Sequence, residues 1–191
     1  MSEAVSALKG ASFDGFVTVK DTGLHGMITL RGDLASDAVK AAVQDATGAP
    51  VPGQREVTGA NGNSVAWMSP DELLLIVAYD AAPQIEADLR KALSGSHHLV
   101  ANVSDARAVF RLSGSATGLR EAIAKLCPVD MTPGAFGPGQ FRRTRMAQIP
   151  AALWMPSDDS LQVICFRSVA DYAFNLLKGA AAPGSEVGLF S

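Results

Sequence analysis

The residues of this sequence with chemistry to offer are three histidines, two cysteines, two carboxylate pairs, a serine-glycine turn and a run of arginines. His25, His97 and His98 stand at no ligand spacing with Cys, Asp or Glu, so they do not form a zinc set. The adjacent pair His97-His98 reads as solvated loop residues. Cys127 and Cys165 sit in apolar surroundings, at neither metal nor redox spacing. They read as buried thiols of a reducing, cytoplasmic compartment. Ser113-Gly114-Ser115 lacks the GxGxxG pattern and the lysine of a phosphate loop. It is a strand-to-helix turn whose amides could hold an anion, or a turn that is merely capped. Asp71-Glu72 and Asp158-Asp159 are read as turn formers, because Asp bonds nearby backbone. No GxSxG elbow and no Ser/His/Asp set is present.

Arg142-Arg143-Thr144-Arg145 falls on an expected strand, which puts Arg143 and Arg145 on one face and Arg142 and Thr144 on the other. Such a strand either binds an anionic ligand or a partner's carboxylate, or is an edge kept charged against aggregation. Nothing in the chain assembles a catalytic, metal or cofactor constellation.

The elements that carry these residues come in two copies. Shifting by 87 residues lays Trp154–Ala180 on Trp67–Leu93 without a gap. Trp67 then falls on Trp154, Asp71 on Asp158, Leu74 on Leu161, and Leu89 on Leu176. Upstream, Pro52-Gly53-Gln54 recurs as Pro138-Gly139-Gln140, and Ile28–Gly32 matches Phe110–Gly114. Offsets that grow in one direction are the mark of a duplication with loop insertions, and added loop length costs little.

Each copy reads strand, helix, two to three strands, helix. In the first, Met27–Arg31 is a strand, Asp33 or Ser36 caps the next helix and Gly48 stops it. Asn61-Gly62 makes a hairpin turn. Leu73–Tyr79 is apolar on both faces and suits a central strand covered on both sides. In the second, Ser168 and Asp171 cap the last helix and Gly179 stops it. A return strand, His98–Val103, is visible only in the first copy. The plan is α+β, mixed sheets with helices on one face. Residues 1–15 are a flexible arm, 16–103 the first half, 104–180 the second, and 181–191 a tail.

Apolar residues make up 48% and charged residues 18%, and the mean hydropathy is slightly positive. That is apolar for a free soluble protein and suggests that a partner covers part of the surface. A net charge of −3 without a basic stripe argues against nucleic acid. No run is long enough to span a membrane, and the N-terminus has no secretory leader.

Laid out in this way, the chain resembles the gamma subunit of bacterial heterotetrameric sarcosine oxidase. The matching pieces are Val103–Arg107, Leu126–Met131, Arg143–Ala147 and Arg167–Tyr172, with Trp67–Glu72 fitting the first half. Leu126 departs from the glycine expected before Cys127-Pro128. The resemblance implies a complex that demethylates sarcosine to glycine, with FAD, FMN and NAD on the larger subunits, zinc on the smallest and tetrahydrofolate as one-carbon acceptor. It implies an aminomethyltransferase-like fold for this chain and no cofactor of its own. It also implies a large dinucleotide-binding alpha subunit as the main partner, beside beta and delta subunits. Phe13, Phe16, Arg142, Arg143, Arg145, Val187, Leu189 and Phe190 are the candidate partner contacts. Two alternatives stay open. One is a free-standing folate-binding or aminomethyl-transferring protein, with Asp130 or Asp105 gripping the pterin. The other is a subunit of a complex that oxidises another N-methylated amino acid.

Overall fold

A computed structural model describes residues 3–190. The chain divides into two units, one spanning His25–Ser104 and the other formed by the residues up to Leu24 together with those from Asp105 on. In chain order the N-terminal strands are β1 (Ser12–Asp14) and β2 (Thr18–Asp21). The His25–Ser104 unit holds β3 (Gly26–Arg31), α1 (Asp37–Thr47), β4 (Val57–Ala60), β5 (Asn63–Ser69), β6 (Glu72–Val77), α2 (Ala82–Ala92) and β7 (Leu99–Asn102). The remainder supplies β8 (Arg107–Ser113), α3 (Ala116–Ala124), β9 (Phe141–Met146), β10 (Ile149–Ser157), β11 (Ser160–Phe166) and α4 (Ala170–Ala180).

Local chemistry sets the ends of these elements. The Ser36 hydroxyl accepts the Val39 amide, and Gly48, left-handed at φ 74°, donates its amide to the Gln44 carbonyl and closes α1. That conformation carries no Cβ penalty at glycine. Asn61 and Gly62 take φ values of 53° and 81°, the paired left-handed turn that joins β4 to β5. Ser115 caps α3 through the Gly118 amide, so the Ser113-Gly114-Ser115 turn is a cap. The last helix differs from expectation. Its N-terminus has no side-chain cap, a single 3-10 turn (Arg167–Val169) leads into it, and Gly179 lies inside it.

The five-stranded sheet of the first unit runs β4-β5-β6-β3-β7 and is antiparallel at every pairing. Ile28, Leu30, Leu73, Leu75 and Val100 meet Val39, Val43, Leu89 and Leu93 of the helix layer. Every residue of β6 is buried, as its unbroken apolar run requires of a central strand. The second unit builds a six-stranded antiparallel sheet, β1-β2-β8-β11-β10-β9. There Phe110, Leu112, Leu153, Leu161 and Val163 pack against Leu119, Ile123, Ala173 and Leu177. Each of the Val, Leu, Ile and Phe side chains among these contributes about 1.5–3 kcal/mol of burial.

The duplication is real in topology: β4-β5-β6-β3 and β9-β10-β11-β8 are the same order. The Gly32 amide donates to the Asp71 carbonyl at 3.0 Å, and the Gly114 amide to the Asp159 carbonyl at 3.2 Å, one bond in two copies. The equivalence differs from the gapless match by one residue. Helices α2 and α4, the 3-10 turns before them, and the starts of β6 and β11 all correspond at an offset of 88. Leu73 therefore matches Leu161, and Leu89 matches Leu177. Trp67 faces the helix side of its sheet, beside Leu34 and Gln44. Trp154 alternates with Ala151, Leu153 and Met155, which face the helices, and so points to the other side. The two tryptophans are not equivalent. A slip of one residue inverts every side chain of a strand.

The division of the chain also needs correction. Residues 16–24 do not belong with the first half, because β2 pairs with β8 over Thr18–Asp21. In the first unit the position beside β3 is taken by the return strand β7. In the second it is taken by β2, which arrives from the N-terminus. The N-terminal residues are likewise no loose arm. The buried Asp21 carboxylate accepts the Ser6 hydroxyl at 2.7 Å and the amides of Leu8, Gly10 and Gly23 at 3.1 Å each.

Candidate functional site

The eight residues proposed as partner contacts divide by what already holds them. Phe13 lies on β1 with the Lys178 ammonium 5.4 Å from its ring centre, and Phe16 has Lys125 at 4.9 Å. Both rings, and that of Phe190, pack against the core of their own unit. Arg142 is engaged as well. Its guanidinium donates to the carbonyls of Phe141 at 2.9 Å and Ala135 at 2.8 Å, and to the Gln140 side chain at 3.1 Å. It thereby fastens the Thr132–Gln140 loop to the strand. Arg143 and Arg145 are exposed on β9, the outermost strand of its sheet. Among the described residues Val187 and Leu189 are the most exposed large apolar side chains, at 72% and 63%.

The tail that carries them is fixed in place. Glu121 of α3, buried, accepts the backbone amide of Val187 and, at 3.1 Å, that of Gly188. These amides and Lys125, whose Nζ is 3.5 Å away, hold its pKa below the usual carboxylate range, against the opposing effect of burial. Lys125 also donates to the carbonyls of Ala180 and Ser185 at 3.1 and 2.6 Å. Next to Glu121, the buried Arg120 donates to the carbonyls of Met131 at 2.7 Å and Phe136 at 2.6 Å. Sequence reasoning missed Asp21, Arg120 and Glu121. The available signal was a charged residue at each of two positions next to the buried stripe Leu119, Ala122, Ile123, which needs partners once it is covered.

The remaining groups are occupied by local structure. Asp71 accepts from Ser69 at 2.6 Å and Asp159 from Ser157 at 2.5 Å, and the Ser69 bond leads the lowering of the Asp71 pKa. Arg31 reaches Glu72 at 2.8 Å and Asp71 at 3.9 Å. Asp130 accepts the hydroxyl and amide of Thr132 at 2.7 and 2.9 Å, which lowers its pKa and closes a turn. Asp105 is exposed at the start of the second unit. Burial pushes the thiols of Cys127 and Cys165 up to about 12, far above the range of a nucleophilic thiol. His98 Nδ1 lies 2.9 Å from the Ser96 carbonyl, and His97 is exposed beside it. Among the described residues no group of three or more His, Cys, Asp or Glu could hold a metal ion, and no helix is long and apolar enough to cross a membrane.

Comparison with known proteins bears on this arrangement directly. The model of the sarcosine oxidase gamma subunit family matches residues 31–183. A sarcosine oxidase subunit gamma from Arthrobacter sp is 33% identical over 160 residues, 83% of this chain and 76% of that one. Among solved structures, heterotetrameric sarcosine oxidase from Corynebacterium sp. U-96, in complex with pyrrole 2-carboxylate, aligns with a TM-score of 0.77 at 30% identity. That alignment covers 86% of this chain and 83% of the matched chain. Aminomethyltransferase T of the glycine cleavage system from Bartonella henselae aligns with a TM-score of 0.55 at 16% identity, over 83% of this chain and 44% of that one. This second likeness is one of fold alone. Taken with the match across both copies of the repeat, the first three place the fold and the sequence together: the chain belongs to the sarcosine oxidase gamma subunit family.

Proposed function

We propose that this chain is the non-catalytic gamma subunit of a cytoplasmic heterotetramer that oxidatively demethylates sarcosine to glycine. In this reading the complex passes electrons to oxygen and the methyl carbon to tetrahydrofolate. FAD, FMN and NAD reside on the larger subunits and zinc on the smallest. The chain's main partner is the large dinucleotide-binding alpha subunit, with beta and delta completing the complex. The observation that carries the reading is the alignment, across 86% of the chain, with a chain of a heterotetrameric sarcosine oxidase.

The chain's own polar chemistry supports a scaffolding role. Asp21, Arg120, Glu121 and Arg142 each hold a loop or terminus through several hydrogen bonds. Arg143, Arg145, Val187 and Leu189 are exposed and offer outward-facing surface to a partner. Arg and aromatic side chains are the usual anchors of such contacts, which favours Arg143 and Arg145 over the aliphatic pair.

Co-purification tests this. The tagged chain, recovered from its own cells, is expected to bring down three further subunits and sarcosine-dependent oxygen uptake. Expressed alone, it should be colourless and inactive toward sarcosine. Stoichiometric flavin on the isolated chain would reject the scaffolding role. A complex that prefers another N-methylated amino acid would keep the architecture and replace the substrate.

A further inference from the structure

The two copies of the repeat differ in what covers one flank of their first helix. In the second unit the connection from α3 to β9 is 16 residues long (125–140); in the first, that from α1 to β4 is nine (48–56). The longer connection lies over α3. Its Met131 and Phe136 are part of the core, at 2% and 0% exposure, and Arg120 of α3 holds the carbonyls of both. The Gly139 amide donates to the Met155 carbonyl at 3.0 Å. Under this cover Leu119, Arg120 and Ile123 of α3 and Met155 of β10 are all buried.

The first unit lacks that cover. Counted from the capping serines Ser36 and Ser115, Lys40, Ala41 and Gln44 of α1 stand where Leu119, Arg120 and Ile123 stand on α3, and all three are exposed. Trp67 of β5 stands where Met155 stands on β10, at the offset of 88 that matches Leu73 with Leu161, and is only half-buried. These four side chains line an open groove of about 720 Å³, with Leu34, Val51 and Pro52 beside them. Among the described residues its lining carries one charge, Lys40, and Lys40 makes no ion pair with any of them. An apolar groove with an ammonium at its rim is complemented by an apolar ring with a carboxylate close by.

We propose that this groove receives an aromatic side chain carried on a loop of a partner subunit, with an acidic residue of that loop facing Lys40. Two observations set the chemistry of the occupant. At the matching place in the second unit a phenylalanine on a loop fills the space, and the one charge in the lining of the groove is cationic. The proposal rests on the reading of the chain as one subunit of a complex, and deepens it by naming a surface and what it takes.

Two variants, a control and a footprint test it, using the tagged chain co-expressed with the subunits that the wild-type chain retains. Ala41→Trp fills the groove from α1, and Lys40→Glu reverses its charge. Both positions are exposed, so the melting temperature of the chain should not fall. Each variant is expected to weaken retention of the partner subunits about tenfold or more. Ala38→Trp, exposed on the same helix but outside the groove, should retain them as wild type does. In the wild-type complex, hydroxyl radicals should oxidise Trp67 as slowly as the buried Trp154, although Trp67 is only half-buried in the chain alone. Undiminished retention by Ala41→Trp, with Trp67 oxidised freely in the complex, overturns the groove proposal and leaves the subunit reading standing. An equal loss with Ala38→Trp overturns it too. A loss with Ala41→Trp but not with Lys40→Glu overturns the acidic contact. A wild-type chain that retains no partner overturns the subunit reading and the proposal with it. A chain that dimerises by itself, and becomes monomeric as Ala41→Trp, gives the groove to a second copy and overturns the partner assignment.

Discussion

At the scale of single residues, burial rather than proximity decides reactivity. The thiols of Cys127 and Cys165 are raised to about 12 because the thiolate is desolvated. Both are therefore expected to resist a disulfide-exchange reagent at pH 8 in the folded chain and to react fully once denaturant is added. Rapid modification of either in native buffer would show the burial to be wrong. Glu121 behaves in the opposite sense. Its pKa lies below the ordinary 4.5, held there first by the Val187 amide. The clamp on the tail is thus complete above that ordinary value and is lost as pH falls through the lower folded one. Exchange of the Val187 and Gly188 amides should be slow from neutral pH down to about 5 and accelerate below about 4.5 relative to intrinsic rates. Glu121→Ala should expose the tail to proteolysis at neutral pH.

At the scale of elements, the corrected register of the repeat names which side chains bear the load. Leu89 and Leu177 are buried at equivalent points of α2 and α4, whereas Leu176 is only half-buried. Truncation of Leu89 or Leu177 to Ala is expected to cost about 2–5 kcal/mol in chemical denaturation. The same change at Leu176 should cost clearly less. Equal losses at Leu176 and Leu177 would restore the offset of 87. The place of β2 between β1 and β8 makes a second demand. Deleting residues 3–24 removes the strand that pairs with β8 and the hub on Asp21. Near-ultraviolet dichroism from Phe and Trp of the second unit should collapse, although the deleted residues are separated from the rest of that unit by the whole of His25–Ser104 in sequence.

At the scale of the whole molecule, the apolar composition has two destinations. Most of it is buried, in two helix-covered cores, one per unit, and on the other faces of the sheets at such residues as Met27, Leu74, Ile76, Val109 and Ile164, while part of the remainder is displayed at Val187, Leu189 and Leu99. A chain cut after Ser185 keeps the buried Ala181 and the Ser185 contacts of Lys125, but loses Val187, Leu189 and Phe190. It is expected to remain folded, with a lower melting temperature from the loss of the Phe190 contact, and to retain its partner subunits less well in the co-purification described above. Undiminished retention would remove the tail from the interface.

What the sequence by itself determined was local or repeated. Capping at Ser36, the left-handed stop at Gly48, the Asn61-Gly62 turn and the two-faced burial of β6 follow from side chains within a few residues of each other, and were legible as such. So was the duplication, because it is written twice, and so was the family, because its motifs are short and contiguous. The tertiary structure decided what depends on distant partners. Strands repeat with a period of two, so an alignment by identity that slips one residue still looks regular while inverting every face. Trp67 and Trp154 were matched in that way. A strand position can be filled by any segment with the right pattern, and only pairing across the sheet shows that β2, not a return strand, completes the second unit. Asp21, Arg120 and Glu121 look like surface charges in sequence, because the amides and carbonyls that satisfy them lie on loops brought there by the fold.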